Sequence, residues 1–204
     1  GAVVTSFDYD DESVSCTAGL RDRAGAPNWR VEQGSILDQS YLSSLGHYEI
    51  VYSWGVLHHT GALWQALDNV TIPVAPRGRL FVAIYNHQPL WTPVHTALKR
   101  AYVGLPRPLA WLLGTLLVVF YAARGFVKDL LLLRPPLARY RNYQRSRGMS
   151  WWHDCRDWIG GYPFETARPE EVRAYLAALN RMIAAMGHGD VQPEGEAAAV
   201  GIGD

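Results

Sequence analysis

Hydrophobic and polar positions alternate in short blocks over the first 86 residues of the chain. Four apolar runs, rich in β-branched and aromatic residues, predict strands, and amphipathic or polar segments separate them. The predicted strands are 3–7, 29–32, 48–54 and 80–85; the predicted helices are 12–23 and 61–70, with a short helical turn at 40–45. The order β-α-β-β-α-β predicts an α/β fold with a doubly wound, mostly parallel sheet. Such sheets bind their ligands at the carboxyl ends of the strands.

The pattern changes after residue 86. Residues 87–107 are rich in proline and aromatic side chains, and a long apolar stretch, a basic segment and an aromatic block follow. Pro169 then opens a further helix with two glutamates in its first turn. We therefore predict three parts: an α/β core at 1–86, a helical and aromatic insertion or lid at 87–168, and a C-terminal helix with a disordered tail at 169–204.

The apolar stretch at 109–133 raises the question of a membrane. Its charge-free part, 108–123, is shorter than the about 20 residues that a membrane-spanning helix needs. Three charged residues interrupt the stretch beyond it, and five arginines follow: Arg134, Arg139, Arg141, Arg145 and Arg147. Three interpretations stay open: a buried or dimer-forming helix, a helix that lies on a membrane surface and contacts anionic lipids, and a transmembrane span.

Composition narrows the function classes. Hydrophobic residues make up 49% of the chain and charged residues 19%, as in globular proteins. The formal net charge is zero, which argues against a nucleic-acid partner, because such proteins usually carry a basic excess. Cys16 and Cys155 lack metal-ligand spacing, so neither a zinc site nor a disulfide framework is expected. No signal peptide is visible, and we expect a cytoplasmic protein, membrane-associated if the apolar stretch binds lipid.

Three segments at predicted strand ends carry candidate chemistry. Asp8 follows the first predicted strand, where an acid can accept hydrogen bonds from ribose hydroxyls, cap the next helix or be a solvated turn residue. The turn Gly34-Ser35-Ile36-Leu37-Asp38 could read an adenine edge through backbone groups and a short polar side chain, with Ile36 packed on the ring. Beyond the strand 48–54, Gly55 lets a ligand approach the backbone, and two histidines follow at the edge where a substrate would lie.

Together these segments resemble class I S-adenosylmethionine (SAM) dependent methyltransferases. The string EIVYSWGVLHHTGALWQALDNVTIPVAPRGRLFVAIYN is similar to the family's segment from the fourth to the fifth strand, and SFDYDDESV and QGSILD lie upstream in the family's order and spacing. The resemblance implies a Rossmann-like fold with a helical insertion after the fifth strand. The family's first strand and glycine-rich loop are not matched by any part of this chain, so we expect the fold to be incomplete at its amino end.

The resemblance also implies a role for each matching position. The implied cofactor-binding residues are Asp8 and Tyr9 for the ribose of SAM, Ser35, Ile36 and Asp38 for the adenine, and Ser53 and Trp54 for the methionine end. Ser35 and Glu49 stand where the family usually has aspartate. The implied activity is methyl transfer from SAM. The aromatic block and the apolar insertion favour a small, hydrophobic acceptor, and the lack of the glycine-rich loop predicts weak SAM binding by these 204 residues alone. The alternative function is a membrane-surface or interaction module built on 109–133 and the arginines.

Histidines are the candidates for removing a proton from the acceptor, because the SAM sulfonium is itself a strong electrophile. His58 and His59 lie at the predicted strand edge, where packing or capping would explain them equally well. In the aromatic block 150–165, which resembles a block in some bacterial methyltransferases, His153 beside Asp154 could act as a general base. The alternative is that this block only packs the insertion onto the sheet. No metal is expected.

Overall fold

The computed structural model describes residues 1–135, 138–148 and 150–185, and its contacts divide the chain into two compact units. The first unit is formed by residues 1–86 together with those from 166 onward, and the second by residues 87–165. The second unit thus ends close to the predicted end of the insertion at 168. The predicted disordered tail, from residue 188, lies outside the described residues.

The first unit alternates strands and helices, as the hydrophobic pattern predicts. Its elements up to residue 86 are β1 (Val4–Asp8), α1 (Asp11–Ala24), β2 (Trp29–Gln33), α2 (Gln39–Ser44), β3 (Tyr48–Trp54), a 3-10 turn (Leu57–His59), α3 (Leu63–Asn69) and β4 (Val74–Ala83). The second unit is helical where it is described, with α4 (Trp91–Gly104), α5 (Arg107–Leu131), α6 (Ala138–Arg147) and α7 (Trp151–Gly160). The chain then returns to the first unit with α8 (Pro169–Ala185).

Local signals account for the ends of the first helices. Asp10 caps α1, because its Oδ2 accepts a hydrogen bond from Ser13 N at 2.8 Å. Gly25, at φ 58°, ends the same helix in the left-handed conformation that glycine adopts without steric cost. Asp38 caps α2 in the same way, accepting from Tyr41 N at 3.0 Å. Polar residues between the strands therefore define where each helix begins.

The strands form two parallel pairs. In the first ribbon, β1 pairs with β2 from Val4–Trp29 to Asp8–Gln33. In the second ribbon, β3 pairs with β4, in register to the final pair of Trp54 with Ala83. Among the described residues no strand joins the ribbons, and a side-chain hydrogen bond from Tyr48 Oη to Thr5 Oγ1, at 2.8 Å, links them. The predicted parallel pairing is therefore confirmed, whereas the described strands form two separate two-stranded sheets and not the one doubly wound sheet that the sequence predicts.

The strand β4 begins six residues before its predicted start at 80. The segment Pro76-Arg77-Gly78, which predicts a turn in front of the strand, lies inside it as an irregularity of the ladder, where the register shifts between Tyr48 and Ile50. Arg77 has a φ of 65°, and a Cβ at Gly78 would lie 2.8 Å from the Ala75 carbonyl oxygen. Turn residues within a strand are typical of a bulge, which bends the strand without ending it.

The core of the first unit lies between the second ribbon, α3 and α8. Its buried members are Leu57, Leu63, Ala66, Leu67, Val70, Val74, Leu80, Ala167 and Val172. Tyr175 on α8 donates a hydrogen bond to Asp68 at 2.7 Å, and its ring lies 4.9 Å from that of Trp64. The C-terminal helix is thus an integral part of the first unit, although the sequence predicts it as a separate part.

In the second unit, α5 runs through the apolar stretch for 25 residues. Within this fully described helix, Gly114, Val118 and Asp129 are the buried residues. The interpretation of 109–133 as a buried helix is therefore wrong for most of its surface. Among the described residues α5 is also the one helix long and apolar enough to cross a membrane, by length and composition alone.

A lysine lies in the interior of the second unit. Lys99 on α4 is fully buried; its Nζ donates to the Trp158 carbonyl oxygen and lies 4.3 Å from the Trp158 ring centroid and 4.7 Å from that of Phe164. Burial lowers the pKa of Lys99 to about 8, because the aromatic surroundings solvate an ammonium ion less well than water. His95, one turn before, also has a pKa lowered first by burial and then by Lys99.

Candidate functional site

The carboxyl ends of the four strands carry most of the predicted site residues. Asp8 is the last residue of β1 and Trp54 the last of β3, and in each parallel ribbon the partner strand ends beside them. Asp8, Tyr9 and the turn at 34–38 follow the first ribbon; Ser53 and Trp54 belong to the second. The predicted cofactor-binding residues thus lie at the carboxyl ends of both ribbons, the edge at which parallel sheets bind ligands.

Asp8 is held in place by the loop that follows it. Its Oδ1 accepts a hydrogen bond from Asp10 N at 2.9 Å, and its carbonyl oxygen accepts one from Gly34 N at 3.0 Å. The carboxylate is exposed at the strand end, and the cap of α1 is Asp10. The alternative that Asp8 is a helix cap is thus not what the structure shows. The adjacent Tyr9 is 79% exposed, and its carbonyl oxygen accepts from Gln33 Nε2 at 3.2 Å.

The turn after β2 is fixed to α3 by a buried asparagine. Asn69 Nδ2 donates to the Ile36 carbonyl oxygen at 3.0 Å, and Asn69 Oδ1 accepts from Gln39 Nε2 at 2.9 Å. Ser35 Oγ accepts from Leu37 N at 3.2 Å, so its hydroxyl shapes the turn. The Ile36 side chain is half-buried against the core, and Asp38 serves as the α2 cap. The sequence gives no sign that Asn69 has this role, because the other residues of its helix form an ordinary apolar face.

Ser53 and Trp54 lie on opposite faces of β3, as neighbours in a strand must. The Trp54 ring stacks on that of Tyr52 with centroids 5.8 Å apart and planes 6° from parallel, and both rings are exposed. Ser53 is half-buried on the other face. Gly55 follows at φ 78°, and a Cβ built on it would meet no atom within 4 Å. The end of β3 therefore offers open space over a backbone that only glycine adopts without strain.

Two histidines and a tyrosine cluster beyond the ends of β3 and β4. The ring centroid of His58 lies 4.4 Å from that of His59 and 4.3 Å from that of Tyr85, and His59 lies 6.0 Å from Tyr85. His58 is only 2% exposed, whereas His59 is half-buried. His58 thus has the environment of a packing residue, and His59 is the histidine that a bound molecule can reach. Tyr85 follows β4. The sequence predicts it only as the last residue of a strand and gives no sign that it contacts the histidines.

The third predicted histidine, His153, is an exposed residue of α7 in the second unit. Its neighbour Asp154 accepts a hydrogen bond from Tyr143 Oη on α6 through Oδ2. The aromatic block around it packs within the second unit: the Trp151 ring meets Tyr140 edge-on at 4.9 Å, and Arg156 lies 5.1 Å from the Trp152 ring. The described residues contain no group of three or more His, Cys, Asp or Glu that could hold a metal.

Comparison with known proteins gives a fold-level match. No protein-family model and no curated protein sequence matches the chain. Two solved structures of PKMT2 from Rickettsia typhi, a methyltransferase, are similar: one in complex with AdoHcy, at a TM-score of 0.54 and 14% identity, and a second at a TM-score of 0.50 and 15% identity. Both cover 86% of this chain, which spans about a third of their length, 34% and 33%. The chain therefore has the Rossmann-like fold of a SAM-dependent methyltransferase.

Proposed function

We propose that this protein is a SAM-dependent methyltransferase that binds SAM at the carboxyl ends of β1 to β4 and methylates a small, hydrophobic acceptor. The observation that carries the proposal is Asp8, an exposed carboxylate fixed at the end of β1 in a chain whose fold matches an AdoHcy-bound methyltransferase. The aromatic residues and the apolar helix of the second unit favour a hydrophobic acceptor. The residues present fit SAM in two respects: the acid at Asp8 and the open space over Gly55.

Each site residue receives a task in this proposal. The Asp8 carboxylate accepts hydrogen bonds from the two ribose hydroxyls, and Tyr9 covers the sugar. Ser35 and Ile36, with Asp38 behind them, frame the adenine through the backbone of the turn that Asn69 holds. The backbone of Ser53, Trp54 and Gly55 lines the methionine end.

Methyl transfer needs an aligned acceptor and, for a hydroxyl or amine, a base. Bound SAM supplies the electrophilic methyl group. His59, at the end of β3, accepts the proton from the acceptor, while the buried His58 and the Tyr85 ring hold the His59 imidazole in position. The exposed His153 takes no part in this step.

The gap between the two ribbons motivates a second element of the proposal. Parallel neighbours in a sheet lie about 4.8 Å apart and share backbone hydrogen bonds, and β1 and β3 share only the Tyr48–Thr5 side-chain bond. The edge of β3 away from β4 thus has no strand partner among the described residues. A further parallel strand, from a segment outside these 204 residues, would complete the ladder there. Its following loop would supply the glycine-rich backbone that approaches the cofactor.

Binding of SAM tests the proposal most directly. In the protein that carries this chain, with any residues that precede Gly1, we expect Asp8→Asn to raise the Kd for SAM roughly 10- to 100-fold, because charged hydrogen bonds to the ribose are lost. An asparagine can still accept from Asp10 N, so the loop keeps its shape. The matched control is Asp11→Asn, an exposed acid on α1, which should leave the Kd unchanged. Absence of binding at millimolar SAM by the unsubstituted protein would contradict the proposed activity.

The strand proposal has a separate test. The 204 residues alone should bind SAM far more weakly than the longer protein, because the bridging strand and its loop are missing. Isothermal titration of both proteins measures this difference. Micromolar SAM binding by the 204 residues alone would leave methyl transfer standing and rule out the need for a further strand.

A further inference from the structure

We infer that the second unit docks on an anionic lipid surface through α5, with this helix lying in the plane of the interface. The inference does not depend on methyl transfer, because it rests on the exposed side of α5 and on the charges of the unit that carries it.

The exposed side of α5 is apolar along its whole length. At about 100° of rotation per residue, seven exposed large apolar residues fall within an arc of roughly 100°. They form what we call the apolar face: Leu109, Leu112, Leu116, Val119, Phe120, Val127 and Leu130. Leu116 and Phe120 near its centre are 58% and 59% exposed. A continuous apolar surface of this kind marks an interaction site, whereas single exposed apolar residues are ordinary.

The opposite side of α5 packs within the unit. Gly114 faces the Tyr102 ring of α4, whose Cε2 would lie 3.1 Å from a Cβ at this position. Towards α7, Arg156 Nη2 donates to Thr115 Oγ1 at 3.2 Å, and the Tyr121 ring meets Trp158 edge-on. One long side of the helix is thus occupied by helices that carry charged residues. A helix held in this way presents its other side to a surface, and it cannot enter a bilayer without its neighbours.

The length of the charge-free part argues against a span. Sixteen helical residues, 108–123, cover about 24 Å at 1.5 Å each, whereas the hydrocarbon core is about 30 Å thick. The exposed Arg124 comes next and lies beside the apolar face, about 40° from its edge, and Lys128 follows one turn later. Long basic side chains at the border of an apolar face reach the headgroup layer while their stems stay in contact with apolar surface. This is the arrangement of a helix at the interface.

Charge identifies the surface as anionic. The second unit contains eleven lysines and arginines against four acids, a net charge of +7, whereas the rest of the chain has eight against fifteen. Of those four acids, Asp129 is buried and Asp154 is engaged by Tyr143. Exposed arginines lie just beyond α5, at Arg134, Arg141 and Arg145. Two apolar faces pairing in a symmetric dimer would bring two such units together, and their like charges would repel.

Vesicle co-sedimentation tests the docking without any cofactor. The 204-residue protein should bind phosphatidylcholine vesicles that contain phosphatidylserine at least about tenfold better than pure phosphatidylcholine vesicles, because each basic residue near an anionic surface contributes about fivefold. High salt should remove this preference. Leu116→Glu with Phe120→Glu should reduce binding to both kinds of vesicle at least about tenfold. The matched control is Leu20→Glu on α1, a leucine 54% exposed in the other unit, which should change nothing.

A second variant separates the apolar from the electrostatic contribution. Arg141→Glu with Arg145→Glu should abolish the preference for phosphatidylserine while leaving binding to neutral vesicles intact. Circular dichroism should show unchanged helicity in both double variants, because all four side chains are exposed. Three outcomes would overturn the inference: equal binding to neutral and anionic vesicles, a dimer that Leu116→Glu dissociates in the absence of any vesicle binding, and membrane association that resists alkaline extraction, as a spanning helix would.

Discussion

The two units bury polar groups of different kinds. Among the described residues, the polar side chains that the first unit buries are His58 and Asn69, which are neutral or can be neutral, and Asn69 fixes the turn after β2. The second unit buries Lys99 and Asp129, which are charged at neutral pH in their ordinary state, inside a helical bundle. The first unit is also net acidic and the second net basic. The first unit thus buries polar groups that carry no obligatory charge, whereas the second buries groups whose charge is costly to remove from water.

The largest expected effect is on kcat, and it comes from substituting a histidine in each unit. The two substitutions test whether the catalytic base lies in the first unit. His59→Ala should lower kcat roughly 10²- to 10⁴-fold if His59 takes the acceptor proton, whereas His153→Ala on the second unit should leave kcat unchanged. The measurement is transfer of a labelled methyl group from SAM to organic-soluble acceptors of a cell extract. A loss of rate on His153→Ala alone would place the base in the second unit.

The buried lysine makes the stability of the second unit depend on pH. The pKa of Lys99 is about 8 in the folded protein and near 10.5 when exposed, so below pH 8 both states are protonated and the burial penalty is fully present. Between pH 8 and 10.5 the unfolded chain binds more protons, so the free energy of unfolding rises with pH. At about 1.4 kcal/mol per pH unit, the penalty relieved is about 3 kcal/mol.

Lys99→Met isolates this contribution from other titrations. The free energy of unfolding of the variant, minus that of the wild type, should fall by about 3 kcal/mol between pH 7 and pH 10.5, because only the wild type loses a penalty. Urea denaturation at several pH values, followed by tryptophan fluorescence, measures it. A difference that stays constant with pH would mean that Lys99 is not buried as a charge. The comparison of pH values cancels the fixed cost of losing the Trp158 contact.

Residues of the first unit could be predicted well because its elements are short and bounded by local signals. Asp10 at the start of α1 and Gly25 at its end are residue types that commonly cap helices, so both ends are visible in the sequence. The strand β3 has the predicted bounds, 48–54. The start of β4 could not be predicted, because a bulge uses the same residues as a turn. The chain has a net charge of zero, but its first unit is net acidic and its second net basic. This difference depends on the boundaries of the units, which local sequence patterns do not reveal.

The sequence predicts on which strand ends the candidate site residues lie, but not the environment of each side chain. Strand ends pointed to Asp8 and to the histidines, but two adjacent histidines look alike in a sequence, and only packing against Tyr85 shows that His58 is buried and His59 accessible. Lys99 and Asn69 gave no signal, because their neighbours in three dimensions are distant in the chain. Long-range packing also decides that α5 keeps one face exposed.

A neutral polar residue in the first unit sharpens the contrast with Lys99. Asn69→Leu should lower the free energy of unfolding by about 2 kcal/mol, because the Ile36 carbonyl oxygen and the Gln39 amide lose their partner. This loss should be the same at pH 7 and pH 10, since an amide does not titrate. The same urea titrations measure it. A loss of unfolding free energy that varied with pH would show that the contribution of Asn69 depends on a titrating group, so that the two units would not differ in the pH dependence of their buried polar groups.

The smallest expected effect concerns where the first unit ends. Tyr175→Phe removes one hydrogen bond to Asp68 and should cost about 1 kcal/mol, while the ring keeps its contact with Trp64. Because α8 contributes Val172 to the core of the first unit, the loss should appear as faster amide exchange in α8 and α3 together, with α4 and α5 unchanged. The phenol pKa, raised to about 12 by burial and by Asp68, should return towards its ordinary range in Asp68→Asn. Faster exchange confined to α8 would show that this helix is an appendage, and the first unit would then end with β4.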